Sequence, residues 1–405
     1  LYVHIPFCHR ICPYCAFFKH TPASTDMKSF IRALGREAES RATALATNRG
    51  GETATLYFGG GTPSMLSDTH LGRLMETLDR LVPVDKLDEF SFEANPATFT
   101  EKKVRFWRSL GMTRVSLGVQ SLDSGILHLL GREHTPAQAL HSVEMLKNAG
   151  MAHINMDLMF AIPGQTLSIW EATLKEAVRA GTDHISAYNL TYEEDTEFFR
   201  SLLRGEKRQD PDEDASFFEL AEHMLEAAGM RHYETSNYAR EGCLSPHNMA
   251  YWKGEDYVGI GPGAVSTING IRYSNTRDTD AYIRSTLENG LPLSEQEPVT
   301  EEDYRLERIA LMLRTDEGLP LKYILPESRP LLGQYRELGL ADISPEQRLI
   351  LKGRGRLLVD AIAAAIIDGT VREGDQVTVD VDKDGGFTVV CDNTPAATYE
   401  VPDAE

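Results

Sequence analysis

Three of the chain's five cysteines fall within eight residues, in the run "CHRICPYC" at positions 8–15. Thiols this close together suit metal binding, because the deprotonated sulfur is a strong donor and neighbouring donors can reach one centre. Two kinds of centre fit a trio. Structural zinc needs a fourth ligand, for which His4, His9 and His20 are the nearby imidazoles. Zinc spacings, however, usually pair one CxxC with a second, distant pair, and here Cys243 and Cys391 stand alone. An iron–sulfur cube is held by thiolates, one to each iron. Cys8, Cys12 and Cys15 would leave its fourth iron without a protein ligand, and an open metal position is where chemistry occurs. The CxxxCxxC spacing therefore favours a [4Fe–4S] cluster over zinc.

Other residues of unusual type accompany the trio. "YFGGGTPS" (57–64) sets Gly60, Gly61 and Thr62 after an apolar run, and glycine lets backbone approach a ligand closely. Glu93 lies inside "FSFEANP", where a carboxylate would be costly to bury without a partner. Gln120 ends "RVSLGVQ", Arg132 follows in "GREHT", and Asp157 interrupts "INMDLMF". Singly, each reads as a satisfied core polar group or a solvated charge. Together they describe a polar, nucleotide-like site.

The elements that must position these residues are legible as an alternation. Short apolar runs at 1–7, 53–61, 90–96, 114–121, 153–163 and 184–192 are separated by helical patterns at 28–47, 69–81, 101–110, 136–149 and 167–180. Strands separated by helices pair in parallel. Eight such units close a full barrel; six predict an open one, with ligands gathered at the C-terminal ends of the strands. Cys8, Gly60 to Thr62, Glu93, Gln120 and Asp157 all fall in or just after such runs. The texture changes at about 236: residues 236–266 read as loop with short strands, 300–367 as mainly helical, and 368–405 as a hairpin around a DG turn. The expected architecture is α/β: an open, partial (β/α)6 TIM-type barrel over 1–235, a smaller, mainly helical C-terminal domain over 236–367, and a β-hairpin tail over 368–405 whose role the sequence does not assign.

Bulk properties narrow the partners. With 61 acidic and 41 basic residues the formal charge is −20, which repels nucleic acid and anionic lipid. No apolar run approaches the ~20 residues of a membrane helix, and no charged-then-apolar leader precedes the first motif. Sparse cysteines without a pairing framework imply a reducing, cytoplasmic setting. The chain opens on Leu1.

With Tyr14 before the last cysteine, the motif resembles the signature of the radical S-adenosylmethionine (SAM) superfamily. In that superfamily SAM chelates the open iron, and an electron from the cluster cleaves it to methionine and a 5′-deoxyadenosyl radical. "YVHIPFC", "YFGGGTPS", "EANP", "RVSLGVQS", "LGREHT", "DLMFAIPGQT", "YETSNYAR" and "GIGPGAVS" follow in the order of its coproporphyrinogen-oxidase-like branch, over about residues 1–367. The resemblance implies that Tyr2, Tyr14, Gly60, Gly61, Thr62, Glu93, Gln120, Arg132 and Asp157 contact SAM. It assigns Arg132 to the SAM carboxylate, and Glu93 and Asp157 to its hydroxyls or ammonium.

Two members of the branch compete. The oxygen-independent coproporphyrinogen III dehydrogenase turns propionates into vinyls with the deoxyadenosyl radical. It carries a fourth cysteine where this chain has Phe17, and an extension before the first strand. The heme chaperones carry HNxxYW, present here from His247 to Trp252. An imidazole beside two aromatics suits heme, as axial nitrogen and flat walls. The resemblance therefore implies a heme chaperone, with His247 in the heme site. Its partners would be heme or porphyrin, a reductant protein for the cluster and recipient apo-haemoproteins. One departure is Val265, in "GAVS", where that family has histidine.

Overall fold

The run "RVSLGVQ" is buried along its whole length as β4 (Arg114–Gln120), the mark of a parallel strand covered on both faces. A computed structural model describes residues 1–22, 25–47, 54–205 and 211–368, and two strands at 377–381 and 387–391. Element order begins β1 (Tyr2–Ile5), α1 (Met27–Ser40), α2 (Ala42–Thr47), β2 (Thr55–Gly60), α3 (Asp68–Leu81), β3 (Glu89–Ala94) and α4 (Glu101–Ser109). After β4 come α5 (Ser124–Leu129), α6 (Pro136–Asn148), β5 (His153–Phe160), α7 (Leu167–Ala180) and β6 (His184–Asn189). Among the described residues these strands form one sheet in the order β6-β5-β4-β3-β2-β1, every neighbour parallel. The expected open barrel of six β-α units is the observed one.

Local chemistry explains the helices. Helix α3 buries Leu71, Leu74, Met75 and Leu78, the 3.6-residue stripe that faces a core. Thr135 and Gln138 form a capping box that starts α6. Helix α7 stops at Gly181, whose φ of 66° is left-handed and favours glycine.

The sheet continues past residue 235. After α8 (Glu197–Leu203) and α9 (Pro211–Ala227), β7 (Arg231–Glu234) and β8 (Asn237–Ala239) add antiparallel strands beyond β6. The segment expected to be loop with short strands holds one such strand, β9 (Gly259–Ile260), parallel to β1, but also an unexpected helix, α10 (Pro246–Trp252). Pro246 opens α10, and the Ser245 hydroxyl accepts from Asn248 N at 3.3 Å. A helix of seven residues is too short for its period to show among glycines and aromatics. A further antiparallel sheet joins β10 (Val265–Ile268), β11 (Ile271–Asn275) and β12 (Ser294–Pro298), with α11 (Thr279–Asn289) between the last two.

The chain divides into two compact units: residues 1–208, 212–251 and 255–300 in the first, and 209–211, 252–254 and 301–405 in the second. The second contains α12 (Glu301–Met312), β13 (Leu319–Pro320), α13 (Pro330–Glu337), β14 (Ala341–Ile343), β15 (Arg348–Leu351) and α14 (Val359–Asp368) around a core of Ile309, Leu331, Tyr335, Leu349 and Ile362. It ends in an antiparallel hairpin of β16 (Val377–Val381) and β17 (Phe387–Cys391). No helix among the described residues is long and apolar enough to cross a membrane.

One buried ion pair ties the sheet together. Arg114 Nε lies 2.7 Å from Glu89 Oε2, both side chains almost wholly buried. Arg114 Nη2 also donates to the Cys243 and Leu244 carbonyls at 2.9 Å each. Removing one partner strands the other charge, so Arg114→Ala should cost about 3–5 kcal/mol. Urea denaturation of the single variants and of the Glu89→Ala/Arg114→Ala double variant checks this. The double should lose clearly less than the sum of the singles, and strict additivity would contradict the pairing.

Candidate functional site

The three cysteines sit on the loop that leaves β1. Its neck is pinned to α1's approach by a bridge between Phe7 and His20, with Cys8 N donating to His20 O at 3.0 Å and His20 N to Pro6 O at 2.8 Å. Inside the loop Cys15 N donates to Cys12 O at 3.3 Å, bringing those thiols to the same side. Thr62 Oγ1 donates to Cys8 Sγ at 3.5 Å, and Arg132 Nη1 stands 3.7 Å from Cys12 Sγ. Burial raises the Cys8 and Cys15 thiols above the ordinary range; the Thr62 hydrogen bond opposes this at Cys8, and Lys19 opposes it at Cys15. These thiols lie in one cleft at the C-terminal end of the sheet with Tyr14, Gly60, Gly61, Thr62, Glu93, Gln120, Arg132 and Asp157. That cleft gathers eleven of the thirteen residues singled out in the sequence.

Each strand delivers its residue for a local reason. Gly61 N donates to Ile5 O and Thr62 N to Phe7 O, both at 2.8 Å, so β2 runs tight against the exit of β1. A Cβ on Gly61 would stand 2.7 Å from Phe7 O, and one on Gly60, whose φ is 109°, 2.5 Å from the His4 ring. The glycines are thus demanded by the neighbouring strand, in addition to leaving backbone open to the cleft. Gln120 sits at the end of β4 beside a break in register, with a left-handed φ of 69°, a strained backbone for a non-glycine residue. Tyr188 Oη donates to its Oε1 and holds the side chain.

The carboxylates are the electrostatic core of the cleft. Glu93 accepts from Tyr57 Oη at 2.8 Å and from Gly60 N at 3.1 Å. Burial and nearby Asp157 push its pKa up to about 7, against the pull of those two hydrogen bonds. Burial likewise raises Asp157, opposed by hydrogen bonds from Ser116, Ser186 and Asn155. Buried carboxyls so raised call for a donor or a cation. Arg132 is fixed by Nη2 on Asn95 Oδ1 and on Gly118 O, at 2.6 Å each, while its buried Nε has no partner among the described residues. Three converging thiols, an orphaned guanidinium nitrogen and two raised carboxyls fit a cube with one open iron and a zwitterionic, hydroxyl-bearing ligand beside it.

Two expected residues lie elsewhere. Tyr2 points its hydroxyl at His4 Nδ1, 2.9 Å away, and lines a neighbouring groove with Phe18, Tyr251 and Val265. His247 is buried near the start of β2, with Nδ1 2.8 Å from Thr55 Oγ1 and its ring stacked on Tyr57 at 4.6 Å. Its cavity is lined by Tyr251, Tyr257 and Val258. His247 therefore lies apart from the cysteine cleft, because the first turn of α10 sets its ring on Thr55 at the start of β2. Several residues of the cleft were not singled out in the sequence. Asn95, which bridges Thr62 Oγ1 at 3.0 Å to Arg132, sat inside the quoted "FEANP". Tyr57, Ser116 and Tyr188 carried no signal, since tyrosine and serine in a strand are ordinary β-formers.

Comparison with known proteins matches the radical SAM superfamily over residues 2–177. The heme chaperone HemW of Bacillus subtilis is 34% identical over 376 residues, covering 90% of this chain and 98% of that protein. HemW of Mycobacterium tuberculosis H37Rv is 35% identical over 372 residues, covering 91% and 94%. The mitochondrial radical S-adenosyl methionine domain-containing protein 1 of Danio rerio is 30% identical over 386 residues, covering 91% and 86%. Among solved structures, the coproporphyrinogen III oxidase HemN of Escherichia coli, a radical SAM enzyme, shares the fold with a TM-score of 0.76 over 90% of this chain and 89% of its own, at 23% identity.

Proposed function

The chain belongs to the radical SAM superfamily and, within it, to the HemW family, and from that premise we propose that it binds heme and hands it to apo-haemoproteins, with a [4Fe–4S] cluster and SAM in the cysteine cleft. The observation that carries the reading is the pairing of an intact His247-to-Trp252 run with Phe17 where the dehydrogenase has its fourth cysteine. The alternative, decarboxylation of coproporphyrinogen III, rests on the shared cleft and on the fold in common with HemN. Heme or a porphyrin, a reductant protein and recipient apo-haemoproteins are the partners, in a reducing cytoplasm.

Cys8, Cys12 and Cys15 would hold the cluster, which when bound supplies the electron for SAM cleavage. The protein's own residues bind and orient. The three thiols give up protons as they ligate, eased at Cys8 by Thr62 and at Cys15 by Lys19. Arg132 offers Nε to the SAM carboxylate, and Glu93 and Asp157 accept from its ammonium or hydroxyls. Tyr188 keeps the Gln120 amide turned toward the cleft.

For heme, His247 has one feature of an axial ligand. Burial lowers its pKa to about 3, so the imidazole is neutral at any working pH, as ligation requires. When Thr55 accepts the Nδ1 proton, Nε2 carries the free lone pair, the outer partner that ligating imidazoles commonly have. With His247 only 5% exposed, heme must displace part of α10 to reach it. Heme added to the anaerobically reconstituted protein should give a protein-type Soret band. His247→Ala should shift or weaken that band, and Tyr251→Ala should loosen binding without changing the ligation spectrum. Coproporphyrinogen III with SAM and reductant should not be turned over. Robust protoporphyrinogen formation, with heme binding indifferent to His247, would select the dehydrogenase.

A further inference from the structure

Cys243 takes no part in the cysteine cleft, yet it does not stand alone in space. We propose that His153, Asp183 and Cys243 form a second metal site, for one zinc-class divalent cation, at the N-terminal end of the barrel strands. The three come from separate segments: His153 opens β5, Asp183 precedes β6, and Cys243 lies in the turn after β8. One ligand atom from each lies within 4.8 Å of the other two. His153 Nδ1 is 2.8 Å from Asp183 Oδ2, and the Cys243 thiol beside them donates to Glu241 O at 3.6 Å.

The surroundings hold these donors in place. Ile154 N donates to Asp183 Oδ1 at 2.9 Å, which fixes the carboxylate. Arg240 N donates to Asp183 O at 2.9 Å and Cys243 N to Arg240 O at 3.0 Å, so the cysteine turn is laced to the base of β6. Arg114 grips the Cys243 and Leu244 carbonyls. The His153 and Asp183 side chains remain 31% and 21% exposed, which leaves an entry path.

Charge and donor type choose the metal. With the thiol deprotonated, one thiolate and one carboxylate balance a divalent cation, and the imidazole ligates neutral. Two further cations face the group. Arg114 is already paired with Glu89, and Arg240 Nη1 is spent on Ala228 O at 3.3 Å. A sulfur, nitrogen and oxygen set selects zinc over the hard cations magnesium and calcium. Tetrahedral zinc, with bonds of about 2.0–2.3 Å, needs donors roughly 3–4 Å apart, so donors that now lie within 4.8 Å of one another would draw together around it. Three protein donors leave the fourth position to water. Zinc would displace the thiol proton and bind His153 Nδ1 in the neutral tautomer that carries its proton on Nε2, so affinity should fall as pH is lowered.

The test uses the full chain with its cluster reconstituted, so that Cys8, Cys12 and Cys15 are occupied. After equilibration with zinc and removal of excess, metal analysis should find one zinc per chain beside an unchanged iron content. Cys243→Ser, His153→Gln and Asp183→Asn should each weaken zinc by more than the roughly 10–100-fold that loss of an outer-shell partner costs. His153→Cys, which conserves a donor, should retain zinc, and this separates ligation from a general loss of folding. Absence of zinc from the wild type, or equal retention by the three deletion variants, would overturn the site.

Discussion

Replacing any one of Cys8, Cys12 and Cys15 by alanine should abolish the iron–sulfur cluster. The wild type, reconstituted anaerobically, should carry close to four irons and four labile sulfides per chain, with a brown chromophore. Two thiolates cannot retain a cube whose fourth iron already lacks a protein ligand. The groups hydrogen-bonded to Cys8 and Cys12 include the Thr62 hydroxyl and the Arg132 guanidinium, which donate to the sulfurs and would not take their place on iron. Because burial raises Cys8 and Cys15, assembly must drive their protons off, so cluster yield should also drop at acid pH. Cys243→Ala should keep its iron. About one metal-bound zinc at the trio with no sulfide would show that the centre is structural zinc.

SAM affinity should rise with pH through about 7, by up to about tenfold per unit on the acid side. The group responsible is Glu93, whose pKa in the ligand-free protein stands at about 7. Below that value the carboxyl is protonated, and a ligand that donates to it must first expel the proton. Above it the carboxylate is ready to accept. Glu93→Gln should flatten this dependence and lower affinity about 10–100-fold, the worth of a charge-assisted hydrogen bond of about 1.5–3 kcal/mol. Equilibrium dialysis across pH with both proteins decides it, and a Glu93→Gln profile that still tracks the wild type would move the site elsewhere. Stability of the ligand-free protein should run the opposite way. A carboxyl raised from 4.5 to about 7 binds its proton more tightly when folded. Stability from this group is therefore complete below pH 4.5 and is lost as pH rises to 7, on the order of 3 kcal/mol.

The legible part of the site was local. Cys8, Cys12 and Cys15 are neighbours in sequence, and a thiol trio has few chemical uses, so spacing alone was informative. Glu93, Gln120 and Asp157 stood out because each breaks an apolar strand. Arg132 and Thr62 were singled out for following such runs, in "GREHT" and "YFGGGTPS", and took a specific role only from the family resemblance. Asn95 and Tyr188 escaped notice because their role is to hold Arg132 and Gln120, a contact with no periodic trace. Tyr2 and His247 were placed with the cofactors on resemblance, and the structure sets them behind the cleft, in adjoining cavities.

The sequence by itself determined the alternation of strand and helix, hence the parallel sheet, the open barrel and the end of it at which reactive groups collect. Those features follow from hydrophobic period and from strand polarity, which are properties of neighbouring residues. Only the tertiary structure decided which groups share a cavity and how deep each lies. Helix α10 is seven residues long, and its entry near the start of β2 fixed His247 as a buried, neutral imidazole on Thr55. The same folding brought His153, Asp183 and Cys243 together from three segments. Burial and proximity set the pKa of Glu93 and the meeting of those ligands, and both depend on residues distant in the chain, whose approach no local pattern encodes.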